Sequence, residues 1–242
     1  MKKLYLAWQD TKTRTWFTVG MLTFEEGLYQ FVYTKGAEVS RNFLPFGRMQ
    51  DLHATYLSEE LFPLFANRIL TASRPEYNDY IQWLNLDLRT NNVFEMLALT
   101  GGTRGTDSLE MYSCPERDSN GQYSVDFFCH GLRHLPEESL ERVNSLSVGE
   151  KLFVMKDVQN PFDKLALSLR TDDPAMMVGY CPRYLAEDFN DYLDDDPALV
   201  DVSVLKVNAA APAQMRLMCR MKAPWVENHE PCTSEQYQPL TI

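Results

Sequence analysis

Residues 160–167 read Asn-Pro-Phe-Asp-Lys-Leu-Ala-Leu, and this run constrains the fold more than any other in the chain. Asn160-Pro161 is a turn signal, and behind it Leu165, Leu167 and Leu169 alternate with smaller or polar residues. Apolar residues recurring every second position after a turn describe a half-buried strand. Phe162, Asp163 and Lys164 then fall at the turn–strand junction, where a rigid sheet presents side chains to solvent. An aromatic, an acid and a base delivered to one exposed spot make a candidate binding site.

Two further stretches bracket this one. Upstream is Phe127-Phe128-Cys129-His130-Gly131-Leu132-Arg133-His134, and downstream is Val178-Gly179-Tyr180-Cys181-Pro182-Arg183-Tyr184-Leu185-Ala186. In this order, over about residues 123–222, the trio resembles the HIRAN domain. That small β-barrel module is best known from the helicase-like transcription factor, where it captures the 3′ end of single-stranded DNA.

The resemblance implies a role for each position. Arg133 holds a phosphate, and His134 falls where the family usually places an aromatic that stacks on a base. Phe162 is the second stacking aromatic, and Asp163 accepts a hydrogen bond from the 3′ hydroxyl. Asn160 shapes the turn and contacts the strand's backbone, Tyr180 lines the pocket after the Val-Gly pair, and Arg183 is a basic phosphate contact; Lys164, the base in the same turn, is counted with them as a candidate DNA-binding residue. Gripping a single-stranded end needs these three ingredients: flat side chains, cations, and an acceptor for the terminal hydroxyl. Departures from the family pattern imply weaker, more salt-sensitive binding. His134 is smaller than tyrosine, Phe162 lacks a hydroxyl, and the acids from Glu187 onward follow Arg183 closely. Structural alternatives stand beside these roles. Phe162 is equally suited to a core, Asp163 to a turn cap bonding its own backbone, and Arg133 to an ion pair with Asp163.

Charge argues against a general nucleic-acid binder. The formal net charge is −11, with −3 over residues 1–120 and −8 over residues 121–242. A protein that coats duplex DNA is normally basic, so DNA binding here has to come from a local pocket. The acidic excess lies in Glu187, Asp188, Asp191, Asp194, Asp195, Asp196 and Asp201. Such a run reads as a solvated helix face and loop, with a metal or basic-partner site as the alternative.

Cys114, Cys129, Cys181, Cys219 and Cys232 are odd in number and contain no C-x-x-C pair, so neither a zinc site nor a disulfide framework is expected. Reduced thiols in a cytoplasmic protein are the simplest account. Met1-Lys2-Lys3 precedes too short an apolar run for a signal peptide, and no segment approaches the length of a membrane span. His53, His130, His134 and His229 lack metal-ligand spacing, and no G-x-S-x-G elbow occurs. No metal, cofactor or catalytic residue is therefore expected.

The first half, residues 1–116, reads as a curled β-sheet followed by short helices. Leu4, Leu6 and Trp8 alternate, then come Trp16–Leu22 and Leu28–Tyr33, joined by a turn at Glu25-Glu26-Gly27. Helical spacing links Leu57, Leu61, Leu64, Phe65 and Ile69, with Ser58 as N-cap. Further helices are expected over Pro75–Leu84 and Val93–Leu99, then a strand at Leu109–Tyr112. Gly101-Gly102-Thr103-Arg104-Gly105-Thr106-Asp107 lacks P-loop spacing and reads first as a turn, in which Arg104 and Asp107 can pair, and second as a phosphate cradle. The strand Val19-Gly20-Met21-Leu22, the segment Leu61–Arg68 and the late glycine pair resemble the N-terminal subdomain of HipA-type toxin kinases. No kinase motif follows, so that resemblance implies an interaction or regulatory module.

Polar, turn-rich residues 117–122 read as a linker. Beyond them six strands are expected, near 123–129, 151–157, 165–170, 177–180, 200–208 and 214–221. Two short helices accompany them, one carrying Leu140, Val143 and Leu146, the other opened by Pro182 with Leu185, Phe189, Tyr192 and Leu193 on one face. The expected class is α+β in two small domains, the second (123–222) an SH3-like or OB-like barrel, with an irregular tail at 223–242. The expected function is binding of single-stranded DNA 3′ ends by a cytoplasmic non-enzyme, in a setting such as bacterial repair, phage defence or a toxin–antitoxin pair. A protein partner would use the first domain, and no membrane is involved. Alternatives are a protein-interaction or antitoxin-like module with no DNA binding, and a metal-dependent nuclease using Asp194-Asp195-Asp196.

Overall fold

The computed structural model describes residues 2–89, 92–225 and 230–241. Two compact units emerge, one from residues 1–80, 87–114 and 230–242, the other from 81–86 and 115–229. This differs from the linear order expected, because the chain leaves the first unit after Cys114 and its last segment belongs to that unit again.

In the first unit five antiparallel strands run in the order β4-β3-β2-β1-β5. They are β1 (Lys2–Gln9), β2 (Trp16–Glu25), β3 (Leu28–Tyr33), β4 (Tyr56–Ser58) and β5 (Leu109–Tyr112). The β2–β3 turn places Glu26 at φ 51° and Gly27 at φ 85°, the positive pair that a tight hairpin with matching twist requires. Leu4, Leu6, Leu22, Phe31, Phe65 and Leu97 form the core on one face. Short helices α1 (Gly36–Val39), α2 (Pro63–Ala66) and α4 (Val93–Thr100) accompany the sheet, while α3 (Tyr77–Trp83) starts in this unit and ends in the other. Asn92 caps α4 by accepting from Phe94 N at 3.0 Å, and Gly101 ends it in the left-handed conformation.

Three expectations fail here, each for a long-range reason. The helix carrying Leu57 to Ile69 shrinks to α2, because Tyr56–Ser58 is taken up as β4 against Tyr29–Phe31. Leu57 is consequently exposed, and Ser58 bonds Glu60 rather than capping a helix. The chain from 230 onward, expected as a separate irregular tail, is irregular apart from a 3₁₀ turn at Glu235–Tyr237 but belongs to the first unit. Leu240 N donates to Tyr33 O at 2.9 Å, Lys35 N donates to Gln238 O at 2.9 Å, and Tyr237 meets Tyr5 edge-on at 5.0 Å. This strap covers the second face of β1, so Tyr5 and Ala7 are buried as well as Leu4 and Leu6. Finally, Cys114 and Cys232 form a disulfide across 118 residues, contrary to the expectation of five reduced thiols. Their pairing depends on that strap and leaves no local spacing signal. Cys129, Cys181 and Cys219 remain free and buried.

The glycine-rich stretch behind α4 is a structural turn. Arg68, its side chain only 3% exposed, donates from Nη1 to Gly102 O at 2.7 Å and pairs through Nη2 with Asp107 at 2.5 Å. Asp107 thus pairs with Arg68, not with the exposed Arg104.

The second unit has seven strands in the order β10-β9-β8-β11-β12-β7-β6. They are β6 (Glu116–Arg117), β7 (Gln122–Phe128), β8 (Lys151–Lys156), β9 (Leu167–Arg170), β10 (Met177–Tyr180), β11 (Asp201–Val207) and β12 (Leu217–Pro224). The short β6, in the stretch expected as linker, adds the seventh strand. All neighbours are antiparallel, and among the described residues the ladder does not continue around a closed barrel. A single bridge, His130 to Tyr180, joins the chain just past β7 to the far edge strand β10. Helices α5 (Glu137–Ser145) and α6 (Arg183–Asp195) lie as their periodicity indicates. Val143, Leu185, Phe189 and Tyr192 join Tyr123, Phe127, Leu152, Leu167 and Val202 in one core. Trp225 packs against that core beside Tyr123. Among the described residues no helix is long and apolar enough to cross a membrane.

Candidate nucleic-acid interface

The turn between β8 and β9 is organised by one side chain. Asn160 Oδ1 accepts from Phe162 N at 3.0 Å and from Asp163 N at 3.1 Å, an Asx turn that compensates for the N–H that Pro161 lacks. Phe162 projects from it 74% exposed. The alternative of a core phenylalanine is thereby removed, since Leu167 and Leu169 fill the interior position. Asp163 does cap its own turn, accepting from Leu165 N at 3.0 Å through Oδ1. Its other oxygen faces the Arg183 guanidinium, with Oδ2 3.5 Å from Nε. Arg183 opens α6, so turn and helix meet at this ion pair, and Asn190 on the same helix donates to Leu165 O at 2.9 Å. Arg183, not Arg133, is therefore the partner of Asp163.

A second anchor reaches the turn from β10. Tyr180 Oη donates to Asp157 Oδ2 at 2.9 Å, and Asn160 Nδ2 donates to the same oxygen at 3.1 Å. Burial pushes the Tyr180 phenol up, the bonded Asp157 carboxylate adds to the rise, and Asn160 opposes it. Asp157 belongs to none of the three motifs. The only sequence signal for it is an acid three residues ahead of the Asn-Pro turn, which by itself is ordinary.

The third motif reaches Tyr180 through the backbone. His130 and Tyr180 exchange N–H···O bonds of 2.9 and 3.0 Å. Gly131 sits at φ 78°, and a Cβ there would lie 3.1 Å from Tyr180 Cδ2. Gly179, at φ 145°, would place a Cβ 2.9 Å from that of Cys129. Both glycines are thus required for the close crossing of the two segments. The chain then enters a short 3₁₀ turn, Leu132–His134. Leu132 is buried, while Arg133 and His134 are exposed, with Arg133 Nε donating to His134 Nε2 at 2.9 Å.

Hydrogen bonds and ion pairing thus link Tyr180, Asp157, Asn160, Phe162, Asp163 and Arg183, and the backbone bridge brings the Arg133–His134 turn to Tyr180. Lys164 is exposed and makes no hydrogen bond or ion pair among the described residues. The acidic run behaves mainly as a solvated face. Asp194 pairs with Lys156 at 2.5 Å, Asp188 accepts from Tyr123 Oη at 3.2 Å, and Asp196 caps the turn at Ala198. Among the described residues no group of three or more His, Cys, Asp or Glu is placed to hold a metal ion; His229 lies outside them.

Comparison with known proteins agrees with the site's motifs. Residues 122–225 match the family model of the HIRAN domain. No curated protein matches the chain. Among solved structures, a protein from Lactobacillus plantarum is 18% identical over 43% of this chain and 97% of its own, with a TM-score of 0.34. The HIRAN domain of human HLTF is 19% identical over 50% of this chain and 93% of its own, also with a TM-score of 0.34. The second unit thus carries, over residues 122–225, a HIRAN domain.

Proposed function

We propose that the HIRAN domain of this protein binds the 3′ end of single-stranded DNA at the Asn160 turn. The observation that carries the reading is the exposed Phe162 ring held on a turn braced by Asn160 Oδ1 beside the Asp163–Arg183 pair. A large apolar ring is held out of the core at a cost in burial, which a stacked nucleobase recovers by roughly 1–3 kcal/mol. Asp163, with one oxygen bonded by Leu165 N and the other facing Arg183, keeps lone pairs to accept a terminal hydroxyl, and Arg183, Arg133 and Lys164 supply the cations for backbone phosphates. Stacking is insensitive to ionic strength, whereas repulsion by the distant acidic surface is screened beyond about 10 Å, so a net charge of −11 is compatible with this local contact.

The domain acts in this reading as a binding module without catalysis, and the first unit, with its pattern resembling the HipA N-terminal subdomain, recruits or restrains a protein partner. The test is fluorescence anisotropy on short single strands carrying either a 3′ hydroxyl or a 3′ phosphate. Tighter binding of the hydroxyl end supports the reading, and equal weak binding of both defeats it. Incubation of the same strands with Mg²⁺ or Mn²⁺ checks the non-enzymatic part, which cleavage would overturn. A protein-docking role is favoured by the acidic α6 face and predicts that charge reversal there, not Phe162→Ala, removes the interaction.

A further inference from the structure

The outward face of the sheet beside the Asn160 turn carries a strip of side chains that end binding does not use. Along β8 the even positions turn inward: Leu152 is buried in the core, Val154 packs against it, and Lys156 reaches Asp194 on α6. Side chains alternate along a strand, so Lys151, Phe153 and Met155 share the opposite face. Asp157 continues that series, because its N–H donates to Ala166 O at 2.8 Å and keeps the β8–β9 ladder in step. On β9, Leu167 and Leu169 fill the core, and Arg170 stands directly across from Phe153 on the outward side. The Arg170 guanidinium carbon lies 4.8 Å from the centre of the Phe153 ring and Lys151 Nζ lies 5.6 Å from it, both within cation–π range. The strip is cationic although residues 121–242 carry −8. Arg170 spends one N–H on Thr171 O at 2.8 Å and has no carboxylate partner among the described residues, although Asp172 and Asp173 follow it in the chain. Lys151 has only Asp201, at 3.9 Å.

We propose that this outward strip of β8 and β9 is a second nucleic-acid contact, carrying the part of a single strand that lies 5′ of the end held at the Asn160 turn. The proposal rests on the end-binding reading above and extends it. Proteins hold single strands with cations that track the backbone and flat or apolar side chains that meet the bases. The strip supplies both, Lys151 and Arg170 for phosphates and the half-buried Phe153 with the exposed Met155 for bases. It is also continuous with the turn, since the same face of β8 ends at Asp157, which Tyr180 and Asn160 anchor. From Lys151 to Asp157 is six steps of about 3.3 Å, roughly 20 Å, room for several nucleotides beyond the terminal one. Charge selects the occupant: a phosphate backbone complements two cations that have little local compensation, and its bases meet the apolar surface between them and the turn.

The experiment measures the affinity of the full chain for 3′-hydroxyl oligothymidylates of two lengths over a range of salt. One has about three nucleotides, for the turn alone, and the other about ten, within the roughly 4–16 that one single-strand-binding module covers. In the wild type the long strand binds more tightly and with the steeper salt dependence. The double variant Lys151→Gln/Arg170→Gln loses two phosphate contacts, so its slope on the long strand falls by about 1.4, at about 0.7 for each phosphate. Its affinity for the short strand is unchanged. Phe153→Leu, which keeps an apolar side chain without the ring, weakens the long strand alone by about fivefold or more. Arg170→Lys keeps the charge and with it the wild-type slope. A long strand that binds no better than the short one overturns the proposal and leaves end binding standing. So does an unchanged slope in the double variant, or an equal loss on both lengths, the result expected if the strip merely supports the fold. A short strand that does not bind overturns the end-binding reading and the proposal with it. Thermal melts accompany each variant, and the double variant, which leaves the ring in place, carries the test alone if Phe153→Leu does not fold.

Discussion

Replacing Phe162 by alanine separates binding from folding more cleanly than any other change at this site. The ring is 74% exposed, and an exposed truncation away from a cap or core changes stability by no more than about 0.5 kcal/mol. Alanine also keeps the N–H that Asn160 Oδ1 accepts at 3.0 Å, so the turn retains its hydrogen bonds. The loss in binding is one stacked base, about 1–3 kcal/mol, which is a five- to 150-fold rise in Kd. Because the ring is uncharged, the slope of log Kd against log salt stays that of the wild type. The assay pairs anisotropy on a 3′-hydroxyl single strand at several salt concentrations with a thermal melt. An affinity within about twofold of the wild type refutes stacking on Phe162. A fall in stability above about 1 kcal/mol refutes the claim that the ring stands outside the packing.

Other changes probe different parts of the molecule. Arg133→Ala lowers the salt slope of single-strand binding by about 0.7 if this arginine holds one phosphate, and an unchanged slope removes it from the interface. Asp107→Ala leaves the Arg68 guanidinium, 3% exposed, with only carbonyl partners and costs about 2 kcal/mol in denaturant melts, whereas Arg104→Ala costs less than about 0.5 kcal/mol. Equal effects of the two would contradict the pairing. In the first unit the Asn42 amide at 2.8 Å, helped by Ser40 and the Lys12 and Thr13 N–H groups, holds Asp10 down to about 2 against the opposing effect of burial. A carboxyl depressed on folding stabilises above its unfolded value near 3.8, and that stabilisation is lost as pH falls from there toward 2. Asn42→Ala therefore moves acid unfolding to higher pH in a circular-dichroism titration, and an unmoved midpoint would show that Asn42 does not control Asp10.

The parts of this protein legible in the sequence are those whose cause is local. The turn at Asn160-Pro161, the hairpin at Glu26-Gly27 and the helices α5 and α6 follow from residues a few positions apart, through side-chain caps, positive φ and 3.6-residue periodicity. The exposure of Phe162 and the capping role of Asp163 belong to the same class, although the bare sequence left core and surface open for the ring. Tertiary structure decided whatever depends on partners far along the chain. Asp163 pairs with Arg183 rather than Arg133, because the sheet seats the Asn160 turn on the start of α6. Asp157, bonded locally by Asn160, is tied to β10 through Tyr180, 23 residues away. Leu57 leaves its helical pattern because β3 offers a free edge, and pairing there outweighs a helix that Pro63, set at its first position, cannot extend back over Leu57. Cys114 meets Cys232 because the last residues of the chain strap the second face of β1. Periodicity records which face of a segment is apolar, but not which distant segment covers it, and that choice is made when non-local surfaces compete for burial during folding.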